Sequence, residues 1–543
     1  MACCKCDEYG WEKPQHVVYS DMNGKEYCLF HAPAEHKEMS VKEFNARVWE
    51  RVQATTDLGD KNAQCNFSGT IFPGDISFVS VSSFPAISFQ GSRFNGDATF
   101  REVGFVGCTD FSSCFFGGKT DFSSSVFGEL ADFSSSKFEG GANYISCEFG
   151  GAVDFSGSNY NDFADFSSGV FKKGIAFNNS KIVGNASFSS CEFGDDANFY
   201  SSVFGGDTSF REARFGGSAG FKDAHFSQSA LFFKAQFEER DADFNLAHFK
   251  GQVNFCEVDF GGHAIFAGVN FNSSAAYKAV RFARDADFSA TFFNGRATFS
   301  ESRFEGRSIF SIMSTSEKAN LIFAGCTISP VAITFDSCDP TCLDLTRQYD
   351  LEFFRFIESP WDKEGKRIKA RTEDVDALLQ PTRDFYQRMK SKYKAENNEY
   401  EASKWHIAEK EVQRKLLRQN GESKALRIVL FLYRWSSRFG EDPVLAGGGV
   451  LGFIMITWLL LGLGGIVDGE RLIQGPTLPD SWESIANFGT VFMTLFKKVM
   501  LLKKVEFESQ YGLIKGIVLI LTRLVIPLQA TLFAFALRNR FRR

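Results

Sequence analysis

The chain has 543 residues, 44% hydrophobic and 23% charged, with a formal net charge of −6; these values exclude a disordered polyampholyte and a strongly basic nucleic-acid binder. Phenylalanine is far above ordinary usage at 63 residues, which argues against a conventional enzyme domain where it concentrates and calls for a repeat search. There are 13 cysteines, and the start, Met1-Ala2-Cys3-Cys4-Lys5-Cys6, lacks the apolar core of an export signal, so free thiols in a reducing cytosol are expected rather than a disulfide scaffold.

Residues 1–39 carry two ligand pairs, Cys3-x-x-Cys6 and Cys28-x-x-His31. Paired soft ligands two residues apart on tight turns suit a tetrahedral ion, so a structural zinc on Cys3, Cys6, Cys28 and His31 is expected. Cys4 is an alternative to its neighbours, and His16 or His36 to His31. The stretch Tyr27-Cys28-Leu29-Phe30-His31-Ala32-Pro33 resembles half of a zinc-ribbon knuckle. An open catalytic zinc is not expected, because no acid–base glutamate accompanies the ligands. Residues 40–62 follow as a capping helix, with Val41, Phe44, Val48 and Val52 at helical spacing.

From residue 63 the pattern changes. Steps of 11 from Phe67 meet an aromatic ring at every stop to Phe232 and, after a one-residue insertion, from Phe244 to Phe310. A second series lies five residues after the first: Phe94, Phe105, Phe116, Phe127, Phe138 and onward. A five-residue step scatters side chains around a helix, so the repeat is not helical. Two residues before the ring stands, almost without exception, a small residue, such as Ala131, Ala164, Ser125 or Cys191. In extended backbone the two face one interior, while the Asp, Asn or Lys between them faces water.

Ala131-Asp132-Phe133, Ala164-Asp165-Phe166, Ala197-Asn198-Phe199 and Ala286-Asp287-Phe288 resemble the pentapeptide-repeat family. The resemblance implies a right-handed quadrilateral β-helix over residues 63–357, with Phe133, Phe166, Phe199 and Phe288 in its core. Alternate units carry one extra residue where glycines cluster, as in Phe116-Gly117-Gly118 and Phe260-Gly261-Gly262; these read as corners needing positive φ. Residues 67–310 then make roughly eleven coils, a rod on the order of 50 Å long. Cys65, Cys114, Cys147 and Cys191 read as buried space-fillers. Gly118-Lys119-Thr120 mimics the end of a phosphate-binding loop, but the repeat register already accounts for it. Cys338-x-x-x-Cys342, in the irregular coils after Phe310, is a weak metal or disulfide signal.

Residues 363–443 carry an excess of Lys and Arg and read as a cytosolic helical linker, a hairpin turning near Asn397-Asn398, followed by basic and aromatic residues suited to a membrane interface. In 444–543, Val444–Val467 is free of charge and Leu513–Leu537 forms a second apolar run carrying Arg523. Ile485–Leu502, between them, is shorter and holds Lys497 and Lys498. Arginines before the first run and at the chain's end put both termini in the cytoplasm, which permits two spans and makes the middle segment interfacial or re-entrant. The layout resembles two-span, potassium-channel-like pore domains, and nearly the whole chain resembles bacterial membrane proteins that join such a domain to pentapeptide repeats. The family's filter sequence is absent; Phe488-Gly489-Thr490-Val491-Phe492 stands in its place.

The expected function is therefore that of a bacterial inner-membrane protein, multi-pass and oligomeric. Its cytosolic β-helix senses or docks a protein partner, and its lipid-embedded end is channel-like, with Lys497, Lys498 and Arg523 as pore candidates. A non-conducting membrane-tethered scaffold is the alternative. A rod that mimics DNA and binds topoisomerase is less favoured: residues 67–310 have 28 acidic and 19 basic residues, against about 30 charges on B-DNA of that length. Neither nucleic-acid binding nor enzymatic activity is expected, since no catalytic constellation is present.

Overall fold

An inward ring with a small residue two positions before it is a strand too short to be stable alone, so each must stack on a copy of itself. The computed structural model does this for the described residues between 64 and 357. The residues described throughout are 3–11, 16–56, 64–79, 81, 83–84, 86–312, 321–328, 333–336, 343–345, 354–357, 379–419, 424–461, 465–468, 471–474, 493, 506–508 and 517–541. The chain divides into two units, Met1–Arg367 and Ile368–Arg543.

In the first unit the strands form parallel ladders, four to a coil. Thr109-Asp110 pairs with Ala131-Asp132, Phe115-Phe116 with Lys137-Phe138, Thr120-Asp121 with Ala142-Asn143, and Val126-Phe127 with Glu148-Phe149. The result is a β-solenoid of about 12 turns. Phe133, Phe166, Phe199 and Phe288 are fully buried, and each ring lies over the ring one coil away: Phe166 on Phe188 at 4.9 Å, Phe199 on Phe221 at 5.0 Å, Phe288 on Phe310 at 4.6 Å. Neighbouring columns meet edge to face, as Phe155 and Phe166 do at 5.2 Å, so a ring such as Phe166 has both favourable aromatic geometries. Ile182 interrupts one column, and the nearby Phe177 tilts 40° from Phe155 and lies near-parallel to Tyr160 at 6.2 Å. The extra residue near 239 is absorbed in a corner, where the register step becomes Ala219↔Ala242 and then returns to Ala242↔Ala264.

The corners correct one expectation. The paired glycines do not adopt positive φ. Left-handed residues fall instead two positions after the first-series rings from Phe89 to Phe299, and most are not glycine: Ser113, Ser124 and Ser135 have φ of 56°, 58° and 57°. Each still spends its N–H on the next coil, as Ser113 does on Ser134 at 2.8 Å. The paired glycines answer a different need, close stacking of corner backbone. A Cβ on Gly151 would lie 2.4 Å from the Glu129 carbonyl carbon, and one on Gly262 would lie 2.0 Å from the Arg240 oxygen. Lys119 and Thr120 of the loop-like triplet are ordinary repeat residues: the Lys119 N–H donates to Asp97 at 2.8 Å, and Thr120 is buried.

Past Phe310 the ladders continue irregularly through Leu321–Ile322, Ile333–Asp336 and Phe354–Ile357. Cys338 and Cys342 lie outside the described residues.

At the start of the chain, α1 spans Cys4–Glu8 and α2 spans Val41–Thr56, with Phe44, Val48 and Val52 buried. The second unit begins with α3 (Leu379–Ala395) and α4 (Glu399–Gln419), a hairpin turning at Asn397, φ 55°. Met389, Tyr393, Ala402 and Trp405 are buried between them. Residues read as an interfacial stretch are largely helical, in α5 (Lys424–Ser437). Asp442 then caps α6 (Pro443–Leu461), accepting the Val444 and Leu445 N–H groups at 3.0 Å each.

α6 is shorter than the charge-free run that contains it. Gly465–Asp468 is already a strand, paired antiparallel with Arg471–Gln474 and with Glu506–Glu508. Glycine is a poor helix former, and Ile466-Val467 enter a sheet after the glycine cluster at 462–465. The segment between the apolar helices therefore leaves and rejoins one small sheet. Ile485–Leu502 lies outside the described residues apart from Met493, so Lys497 and Lys498 do too. The second apolar helix runs over Ile517–Arg538, opening into a π-turn at Leu521–Val525 before α7 (Ile526–Phe541). Pro527 supplies the cause: it has no N–H to give to the carbonyl of Arg523 and its ring would clash there.

Candidate metal centre

Two turns and a hairpin build the N-terminal cluster. The Cys3 carbonyl accepts the Cys6 N–H at 3.1 Å, opening α1 with both thiols on one side. Val17–Ser20 pairs antiparallel with Glu26–Cys28, across a turn in which Asp21 Oδ1 accepts the N–H groups of Asn23 and Lys25 at 2.9 and 2.8 Å. Cys28 ends that strand, and its carbonyl accepts from His31 and Ala32 at 3.1 and 2.8 Å, folding His31 back over the thiol.

The four ligating atoms lie within 4.8 Å of one another, all on buried residues. Cys6 Sγ is 3.8 Å from Cys28 Sγ, and His31 Nδ1 is 3.3, 3.6 and 3.2 Å from the sulfurs of Cys3, Cys6 and Cys28. A tetrahedral ion with bonds of about 2.3 Å to sulfur and about 2.0 Å to nitrogen needs S···S edges of about 3.8 Å and S···N edges of about 3.5 Å. The donors fit. His31 Nε2–H donates to the Ser68 carbonyl at 3.0 Å, which leaves the Nδ1 lone pair facing the thiols. Burial pushes the His31 pKa down to about 4, and the cations Lys37, Lys5 and Arg51 act in the same direction. Cys4, His16 and His36 stand outside the cluster; His36 stacks on Tyr19 at 4.0 Å.

Lys37 was not legible as part of this centre. It is 3% exposed, its ammonium donates to the carbonyls of Leu29 and Phe30, and it sits over the Phe44 ring at 4.6 Å. Burial pulls its pKa down to about 7. A dication held by three thiolates and a neutral imidazole carries a net charge of −1, and such a centre would favour the ammonium at this position.

The cluster is also the end of the solenoid. Phe30 O accepts the Ile71 N–H at 2.8 Å, in place of a preceding coil. Trp11 Nε1 donates to Ser68 O at 3.1 Å, Asn66 to Tyr9 O at 3.2 Å, and Arg51 to Asn66 O at 3.0 Å with its guanidinium over Trp11. Phe30 and Phe44 meet Phe67 and Phe72 at 6.2 and 5.9 Å, tilted and edge-on, covering the first rings of the columns.

Residues 170–214, 188–236 and 210–259 match the family described as Pentapeptide repeats (9 copies). These stretches are pentapeptide repeats. No curated protein and no solved structure gives a match.

In the second unit, Arg523 lies within the π-turn and is exposed. Gln529, unnoticed in the sequence, is buried and donates from Nε2 to Ser436 O at 2.7 Å and Ala446 O at 3.1 Å. It lies beside Gly449, and Phe533 lies beside Gly447, so α6 and α7 run antiparallel and approach closely through glycine.

Proposed function

We propose that this is a membrane-anchored pentapeptide-repeat protein of a bacterial inner membrane, with both termini cytoplasmic. Its solenoid docks a cytosolic protein partner, and its two apolar helices hold it in lipid as part of a homo-oligomer. A structural zinc on Cys3, Cys6, Cys28 and His31 closes the N-terminal end of the rod. The observation that carries the membrane reading is exposure: the best apolar windows of the two helices are only 28% and 22% buried, and Leu451, Met455, Leu459, Leu524 and Leu528 face outward. A core helix of a water-soluble fold would cover such residues.

The layout of two spans around a segment tied at one sheet supports a channel-like assembly, and conduction would need several copies, because two helices enclose no hydrated path. A non-conducting tether has its own support. Thr457, Thr522 and Thr531 each donate to a carbonyl four residues earlier, and Gln529 is spent on two others. Among the described residues of the two spans the charges are Arg523 and, at the very end of the second, Arg538, so Arg523 is the one deep enough to line a pore. Carbonate extraction of membranes tests the anchoring: the full chain should stay in the pellet, and release into the supernatant would overturn the reading.

A further inference from the structure

Parallel stacking brings together residues one coil apart, and it pairs two histidines on the solenoid's outer wall. His225 and His248 are in register, each just before an inward ring, Phe226 or Phe249. Their imidazoles therefore point away from the core and stack with centroids 4.6 Å apart. Asp223, two residues earlier at φ 57°, brings a carboxylate alongside, and the three side chains offer ligand atoms within 4.8 Å of one another.

The surroundings prepare these atoms for a cation. His225 Nδ1–H donates to the Asp223 carbonyl at 3.0 Å, leaving the Nε2 lone pair free. Ser201, from the preceding coil, donates to Asp223 Oδ2 at 3.3 Å, which orients the carboxylate and leaves Oδ1 available.

We propose that Asp223, His225 and His248 form a metal site on the solenoid wall, separate from the N-terminal centre, for a borderline divalent transition ion such as Ni2+, Zn2+ or Cu2+. Two imidazoles and one carboxylate select these ions over Ca2+ and Mg2+, which favour all-oxygen sites. Zinc–nitrogen bonds of about 2.0 Å require nitrogens about 3.3 Å apart. Outward-facing rings reach that separation by rotating about their side-chain bonds while the backbone rungs stay in place. Three protein ligands leave coordination positions to water, so this site exchanges its ion, whereas the four-ligand N-terminal set is closed.

Ni2+ is the probe. Calorimetric titration into full-length protein in detergent, free of any polyhistidine tag and saturated beforehand with one zinc per chain, should show one Ni2+ bound per chain. His225→Ala and His248→Ala should each weaken binding by more than about tenfold, the lower end of what losing even an outer-sphere partner costs. His263→Ala, another solenoid histidine, should leave it unchanged. Circular dichroism melts check that the outward substitutions leave the solenoid folded. Absence of Ni2+ binding to the wild type would overturn the proposal. So would equal affinity in a folded His225→Ala/His248→Ala double variant.

Discussion

Phe166 and Asp165 are chain neighbours with opposite fates. The ring is fully buried between Tyr144 and Phe188 at 4.7 and 4.9 Å, so Phe166→Ala should cost about 3–5 kcal/mol of local stability. Asp165 faces water and accepts the Ser167 N–H at 2.9 Å; its replacement by Ala should cost only about 0.5–1.5 kcal/mol. Hydrogen exchange of the coils around residue 166 measures both, and equal losses would contradict the inward and outward assignment. The cysteines in the small-residue slots are donors as well as fillers. Cys147 Sγ donates to Phe122 O at 2.9 Å and Cys191 Sγ to Phe166 O at 3.0 Å, as Ser158 Oγ does to Phe133 O at 2.8 Å. Burial pushes the Cys147 thiol up to about 12 and raises Cys191 further, so neither supplies thiolate near neutrality. Alkylation of the folded protein at pH 8 should label exposed Cys108 and spare Cys114, Cys147 and Cys191. Labelling of all four at one rate would mean that the interior opens.

At the level of elements, the Cys3–Cys6–Cys28–His31 cluster and α2 act as a lid on an open ladder edge. Metal analysis of purified protein should find about one zinc per chain, lost in Cys28→Ser; a variant that kept its ion would place the ligands elsewhere. Because a coil contacts only its neighbours, the damage should stay in residues 64–94, read as faster amide exchange there and unchanged exchange beyond residue 130. The sign of the pH dependence follows from His31. The unfolded chain protonates it near 6.5 and the folded cap only near 4. Between those values only the unfolded form takes the proton, so the cap should lose stability as pH falls through this window and gain none above it. Fluorescence of Trp11, 4.8 Å from the His31 ring, follows the transition. The spacing that brings Cys3, Cys6, Cys28 and His31 together, the ring period and the helical hairpin were all legible in sequence because each is a local pattern. Lys37 and Gln529 were not, since their partners are main-chain carbonyls that any sequence supplies. The corner glycines misled because close approach and positive φ leave the same residue in the text. The His225–His248 pair was recoverable in principle: both precede a ring of the second series, and their spacing is one coil plus the inserted residue.

For the whole molecule the decisive position is Arg523. A positive charge facing lipid at the centre of a span costs at least about 2.5–3.5 kcal/mol, and this one is exposed on the isolated chain, in a turn already widened by Pro527. A second copy or a shared aqueous path would remove the cost. Gly448 and Gly452 of α6, with nothing within 4 Å of either Cβ position, offer a face on which another helix can pack closely. Gly448→Ile and Gly452→Ile should therefore shift the detergent-solubilised protein towards monomer in mass measurements, while the hairpin of α3 and α4 stays folded. If the oligomer conducts, rings of arginine favour anions. Planar-bilayer recordings under a KCl gradient should then reverse on the chloride side, and Arg523→Gln should reduce that selectivity. Reversal on the potassium side, or currents indifferent to Arg523→Gln, would remove Arg523 from the path. A verified oligomer that carries no current would leave the protein as a tether, with Arg523 serving contacts between copies.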